Sequence, residues 1–233
     1  MKHVEFLAYG PYALFSDPLT RVGGEKCSYQ IPTYEALKGI IESIYWKPTI
    51  IWHIDEVRIM NRIITESKGI KTLKYHNSKG SLNDLSYYTY LKNVAYQVKA
   101  HFEWNYDRPE FEPDRNYIKH FAMAERYIEK GGRRDIFLGT RECQAYVKPC
   151  KFGEGIGAYD DLPELAFGFM YHGIDYPSES SKKDNFMKVR FWHPVMRNGI
   201  IKFIQPEECK IIKPLREVKT KHFEYHEDNS EVV

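Results

Sequence analysis

The sequence is poor in cysteine and in long apolar runs. Its 233 residues include four cysteines, Cys27, Cys143, Cys150 and Cys209, and the nearest two stand seven apart with no CxxC pair. That spacing excludes a disulfide framework and a cysteine zinc site, and it predicts a reducing compartment. No run approaches the roughly eighteen apolar residues that a membrane span needs. The opening MKHVEFLAYGPYALF has no apolar core bounded by a small-residue cleavage site. These absences predict a cytoplasmic protein with no membrane partner. A strong charge of one sign is also missing, since the net charge is +2. Any basic surface must therefore be local. No internal repeat or low-complexity block stands out.

Tyrosine is plentiful, with eighteen among an aromatic content of 15%. Such rings suit a core, an interface or base stacking equally. The chain is long enough to bury a substantial core. Period-2 and period-3.6 patterning predicts a strand over 3–10 broken at Gly10, then a loop over 16–32. A helix follows over 33–46, with Thr33 as N-cap and Leu37, Ile41 and Ile44 as its apolar stripe. Strands are expected over 49–61 and 87–105, with a hairpin excursion between them. A turn-rich stretch leads to a helix over 117–130, and a strand with a glycine break covers 135–149. The order β-α-β-β-α-β predicts an α+β, ferredoxin-like domain over 1–150. A small antiparallel β-sheet domain is expected over 151–215, with Asn198-Gly199 as a turn, and a polar tail over 216–233.

The second helix, YIKHFAMAERYIEK, carries the chemistry. At about 100° per residue, Tyr117, Phe121, Ala124 and Ile128 share one face, and Lys119, Arg126 and Lys130 gather opposite. His120 falls between the two, bordering the basic face. Gly131 and Gly132 make a left-handed helix end inexpensive, so they are read as structural. Between residues 115 and 151 there are nine Lys and Arg against four Asp and Glu, so this window carries +5. Arg126, Lys130, Arg133, Arg134 and Arg141 are the candidate phosphate contacts. Helix-end dipole compensation accounts for Lys130 and Arg133 but not for the whole set. The carboxylates Asp107, Glu110, Glu112 and Asp114 are read as dipole partners of the helix start, so neither a metal nor a cofactor is expected. His172 and His193 are read as structural.

A Lys-His pair can serve metal-free RNA cleavage. The 2′-OH is a nucleophile within the substrate, His moves protons near neutral pH, and Lys offsets charge on the phosphorane. The product would be a 2′,3′-cyclic phosphate. The pair alone is a short motif, and plain anion binding remains an alternative at this level.

The stretches GGEKCSYQIPTYEALKGIIESIYWKPT (23–49), YLKNVAYQVKAHFEWN (90–105), RNYIKH (115–120) and KGGRRDIFLGTRECQAYV (130–147) together resemble one family. It is the CRISPR-associated Cas five family, in its type I-C (Dvulg) subtype, and the likeness runs to about residue 210. The resemblance implies a ferredoxin-like domain of the RAMP superfamily and a small C-terminal β-sheet domain. It implies an endoribonuclease that cuts CRISPR precursor RNA at the base of the repeat hairpin without metal. Such a protein then stays on the crRNA 5′ handle, beside the large and backbone subunits of the type I-C interference complex. The family's catalytic tyrosine matches Tyr45, and its Lys-His pair matches Lys119 and His120. On this reading His120 transfers a proton, Lys119 stabilises the phosphorane, and Tyr45 orients the phosphate or 2′-OH or shares the proton work. Which of His120 and Tyr45 is the base stays open. Two rival readings are a non-catalytic subunit that caps the crRNA 5′ handle, and a nonspecific nucleic-acid-binding module with affinity for duplex DNA.

Overall fold

The computed structural model describes residues 2–20, 24–73, 83–177 and 185–218. Its first strand, β1 (Val4–Ala13), alternates buried and half-open positions, which aims Val4, Phe6 and Ala8 inward. The strand passes through Gly10 and Pro11 rather than breaking there. Gly10 lets the neighbouring strand approach closely, because a Cβ there would stand 3.1 Å from the Gln144 carbonyl oxygen. Pro11, which has no N–H to donate, is passed over in the pairing register between Gly10 and Tyr12. The loop expected over 16–32 holds the two-residue β2 (Lys26–Cys27).

Helix α1 (Tyr34–Ile44) begins as expected, with the Thr33 side chain accepting from the Ala36 N–H. Leu37, Ile41 and Ile44 are fully buried, together with Tyr34 and Ile40. The helix stops two residues short of the expected end. Tyr45 is extended (φ −155°, ψ 124°), and its carbonyl accepts from the Trp52 indole at 2.7 Å instead of continuing the helix. Strand β3 (Ile50–Ile59) follows. The hairpin excursion is β4 (Thr65–Leu73), paired with the start of β5 (Asn83–Trp104). β5 is thus four residues longer than expected at its front, because pairing with β4 draws it out.

A 3-10 turn (Pro109–Asp114) precedes α2 (Tyr117–Glu129), which Asn116 caps by accepting from the Lys119 N–H. The glycine-broken strand is a hairpin of β6 (Ile136–Phe137) and β7 (Gln144–Pro149). β1, β3, β5 and β7 lie in the order β7-β1-β5-β3, all antiparallel. That is the 4-1-3-2 order of a ferredoxin-like sheet, so the expected α+β class is the observed one. The two helices cover one face, where Trp52 on β3 and Phe102 on β5 meet edge to face at 5.3 Å.

Beyond residue 150 come β8 (Leu165–Ala166), β9 (Met170–Asp175), β10 (Phe186–Trp192), β11 (Val195–Arg197), β12 (Ile200–Lys202) and β13 (Ile211–Glu217). They divide between two sheets. β12 pairs with β3, so β12, β11 and β8 extend the first sheet, while β13, β10 and β9 form a second of three strands. Asn198 and Gly199 both take positive φ, 48° and 77°, as the tight β11–β12 turn requires. The buried Arg190 of β10 pairs with Glu35 at 3.9 Å and with Asp175, tying the second sheet to the first turn of α1. Of the expected polar tail, 216 and 217 belong to β13 and residues 219–233 lie outside the described residues. No helix among the described residues is long and apolar enough to cross a membrane.

Gly139 locks the β6–β7 hairpin onto the end of β1. Its φ is +94°, and a Cβ would fall 2.1 Å from the Leu14 carbonyl oxygen. Gly139→Ala is expected to cost about 2–3 kcal/mol, a drop in Tm of roughly 5–10 °C. Thermal unfolding followed by circular dichroism checks this, and an unchanged Tm contradicts it.

Candidate active site

The end of α1 and the first turns of α2 meet at one hydrogen bond. The Tyr45 hydroxyl lies 2.7 Å from His120 Nδ1, although 75 residues separate the two in the chain. Tyr45 reaches this place because α1 has ended: its extended backbone turns the ring into the gap between the helices. There it stacks on Tyr127 at 5.9 Å and lies 3.6 Å from Met123 Sδ. His120 is enclosed by Phe102 and Trp104, both edge-on to its ring at 6.2 and 5.7 Å.

The structure corrects the helical-wheel placement of His120. Residue 120 is fully buried rather than bordering the basic face, and Tyr45 is 1% exposed. The wheel failed because α2 packs on more than one neighbour: it lies against β1 and β7, while Tyr45 and Trp104 meet the His120 ring. Phe121 and Tyr117, read as core, are only half-buried.

A residue not selected from the sequence completes the group. His120 Nε2 lies 2.8 Å from the Asp114 backbone carbonyl and 3.4 Å from its carboxylate. That carboxylate also accepts from Lys119 Nζ at 2.5 Å and from the Thr49 hydroxyl at 2.8 Å. The sequence reading assigned Asp114 to the helix dipole. Its position six residues before a histidine, at the end of a Pro-containing turn, was the available signal. A carbonyl can only accept, so Nε2 carries the imidazole proton and Nδ1 accepts from Tyr45.

The charges follow from this packing. Burial pulls His120 below the ordinary histidine range; the Asp114 carbonyl and carboxylate pull the other way but do not prevail. Burial pushes the Tyr45 phenol well above its usual range, with the Asp114 charge adding to it and Arg133 opposing it. Burial raises Asp114, yet Lys119 and Thr49 outweigh it and hold that carboxyl below the usual range. At neutral pH the group is a neutral imidazole, a protonated phenol and a paired carboxylate. It can therefore accept a proton at His120 through the Tyr45 hydroxyl.

None of the candidate basic residues joins the hydrogen bonds of this centre, and Arg133 alone among them acts on it through its charge. Arg126, Lys130, Arg134 and Arg141 are exposed, and Arg133 is half-buried, close enough for its charge to act on Tyr45. Arg141 stands over the Phe137 ring at 5.9 Å. Gly131 and Gly132 have positive φ, and their N–H groups donate to Ile128 and Tyr127 carbonyls at 3.0 and 2.7 Å, which ends α2 in a Schellman motif. His172, read as structural, is buried and bonded through Nε2 to the Ile204 carbonyl at 2.9 Å.

Because the folded state resists protonating His120, acidification below about pH 6.5 favours the unfolded chain, which takes up that proton more readily. His120→Asn removes this contribution. The gap in unfolding free energy between wild type and variant is expected to shrink as pH falls from 7.5 to 5, measured by urea titration. A gap that widens on acidification would mean the fold holds an imidazolium.

The family model described as CRISPR-associated protein (Cas_Cas5) matches residues 4–204. A CRISPR pre-crRNA endoribonuclease Cas5d from Mannheimia succiniciproducens is 28% identical, over 83% of this chain and 91% of its own length. A crystal structure of a CRISPR-associated protein superposes with a TM-score of 0.76 at 36% identity, over 91% of this chain and 96% of the other. A functionally uncharacterized Streptococcus mutans protein superposes at 0.74 with 39% identity, over 91% and 97%. Matched over most of its length in sequence and in fold, the chain belongs to the CRISPR-associated Cas5 family, in its Cas5d (type I-C) branch.

Proposed function

We propose that this protein is a metal-independent endoribonuclease that cuts CRISPR precursor RNA at the base of the repeat hairpin. It then stays on the crRNA 5′ handle as a subunit of the type I-C interference complex. The name of the Mannheimia relative supports the substrate class. One observation carries the chemistry: the 2.7 Å bond from Tyr45 to a neutral His120 whose other nitrogen faces Asp114.

The arrangement is a hydroxyl, an imidazole and an acid in series, the order that activates a hydroxyl elsewhere. The 2′-OH gives its proton to the Tyr45 oxygen as Tyr45 gives its own to His120 Nδ1. The 2′-oxygen attacks the adjacent phosphorus, and the 5′-oxygen leaves. His120, now an imidazolium with Nε2–H toward Asp114, returns a proton through Tyr45 to the leaving oxygen. The products are a 2′,3′-cyclic phosphate and a 5′-hydroxyl. Asp114 acts as a positioning residue. Lys119, with its side chain 48% exposed, faces solvent beside the pair and offsets charge on the phosphorane. An incoming phosphate competes with Asp114 for Lys119, which uncovers the buried pair. Arg126, Lys130, Arg133, Arg134 and Arg141 have no ion-pair partner among the described residues, which suits them to the RNA backbone.

The near-complete burial of Tyr45 and His120 favours a second reading. In it the pair only fastens α1 to α2, and the protein is a non-catalytic cap on the 5′ handle. A nonspecific module with duplex DNA affinity predicts no preference for the repeat hairpin.

Purified protein is expected to cut repeat RNA once in EDTA, and a 2′-deoxy residue at the cut position blocks it. His120→Ala is expected to slow single-turnover cleavage by about 10²–10⁴-fold and Tyr45→Phe by about 10²-fold. The rate rises with pH through a limb below about pH 6.5, as His120 loses its proton. No cut in EDTA, or undiminished cutting by His120→Ala, contradicts the enzyme reading. Arg133→Ala and Arg134→Ala are each expected to weaken RNA binding and to lower the salt slope by about one. A filter-binding titration across salt concentrations measures it.

A further inference from the structure

The face of the main sheet opposite the helices carries a second cluster of chemistry-bearing side chains. Strand alternation sends Trp52, Ile54 and Phe102 toward the helices and His53, Asp55 and His101 to the other side. His53 and His101 are direct register partners on β3 and β5, with rings stacked at 5.2 Å. His3, just before β1, meets the far side of His101 edge-on at 6.1 Å. The register between β3 and β5 slips at one place, between Ile54 and Glu56, so Asp55 is the extra, unpaired residue of a bulge. Bulges re-aim side chains. Here the Asp55 carboxylate turns onto His101 Nδ1 at 2.8 and 2.9 Å and lies 3.7 Å from His3 Nε2.

We propose that His3, Asp55 and His101 form a binding site for a first-row transition-metal dication of the zinc class. Two imidazoles and one carboxylate are the donor set such ions prefer over magnesium or calcium, which take oxygen. The three donor atoms lie within 4.8 Å of one another. The four ligands of a tetrahedral zinc stand about 3.3 Å apart, given bonds of roughly 2.0–2.1 Å. The observed separations bracket that value, so side-chain rotation alone closes the site. The outer shell is present too. Glu103 lies 4.0 Å from His101 Nε2 and 3.9 Å from His53 Nε2, and its side chain is 57% exposed and free to shift. When His101 Nδ1 takes the metal, its proton moves to Nε2, and Glu103 accepts it. Solvent supplies the fourth ligand, because His3 leaves the cluster open on one side with 35% of its side chain exposed. The bound ion would clip β1, β3 and β5 together on the face away from Tyr45 and His120. The site therefore stands apart from the proposed cleavage chemistry.

The test uses untagged, EDTA-stripped full chain titrated with Co²⁺. One equivalent is expected to bind with the intense visible absorption of four-coordinate cobalt, and Zn²⁺ displaces it. Asp55→Asn and His101→Gln are each expected to weaken binding by more than about 10-fold, and Glu103→Gln by about 10-fold. Zn²⁺ is expected to raise the Tm of wild type and not of Asp55→Asn, with each variant's circular dichroism matching wild type. Glu103→Gln, at an exposed position, gives a readable result even where a ligand variant misfolds. Cleavage in EDTA stays unchanged in all three variants, so failure here leaves the cleavage reading intact. Absence of saturable Co²⁺ binding, or binding undiminished in both Asp55→Asn and Glu103→Gln, overturns the proposal.

Discussion

The hydrogen bond between the Tyr45 hydroxyl and His120 Nδ1 is the contact on which the centre of this molecule depends. It joins the end of one helix to the start of the other in a space from which water is excluded. Buried polar groups are expensive unless paired, and here each pairs the other. Tyr45 can reach His120 only because α1 stops at Ile44; Pro48 has no N–H to give the Ile44 carbonyl, and the Trp52 indole takes the Tyr45 carbonyl. His120 in turn keeps its orientation because the Pro109–Asp114 turn places a carbonyl at Nε2. The local choices of three segments thus meet in one tautomer.

Burial gives that tautomer its chemical character. A solvated histidine would share its proton with bulk water near neutrality. Enclosed by Phe102 and Trp104, His120 stays neutral and remains a proton acceptor, while the phenol beside it stays protonated. Asp114 acts in two directions, holding Lys119 outside and facing His120 inside. A phosphate that draws Lys119 away would loosen the same carboxylate that shields the imidazole. On the proposed reading, substrate binding and exposure of the base would be coupled through that one side chain.

Much of the fold was legible in the sequence, because its signals are local. Thr33 and Asn116 mark the helix starts, Gly131-Gly132 marks a helix end, and Asn198-Gly199 marks a turn that needs two positive φ values. The strands of the ferredoxin-like unit follow from alternation. What escaped depended on contacts between segments. The burial of His120 is set by Tyr45 and Trp104, which no wheel drawn on α2 alone contains. Asp114 looked like a member of an acidic run until the turn folded it back on Lys119. Tyr45 was reached only through the family's motif, since its place in the helical pattern pointed to a flank. The histidines of the open sheet face come together through strand register and a bulge, which residue spacing does not encode.

The most direct test of the account follows His120 itself. Selective ¹⁵N imidazole labelling reports tautomer and protonation across a pH titration, alongside single-turnover cleavage of repeat RNA in EDTA. The account predicts a neutral ring at pH 7 with its proton on Nε2, and a His120 midpoint below 6.5 that coincides with the acid limb of the rate. An imidazolium at pH 7, or a rate profile indifferent to the His120 midpoint, would contradict it.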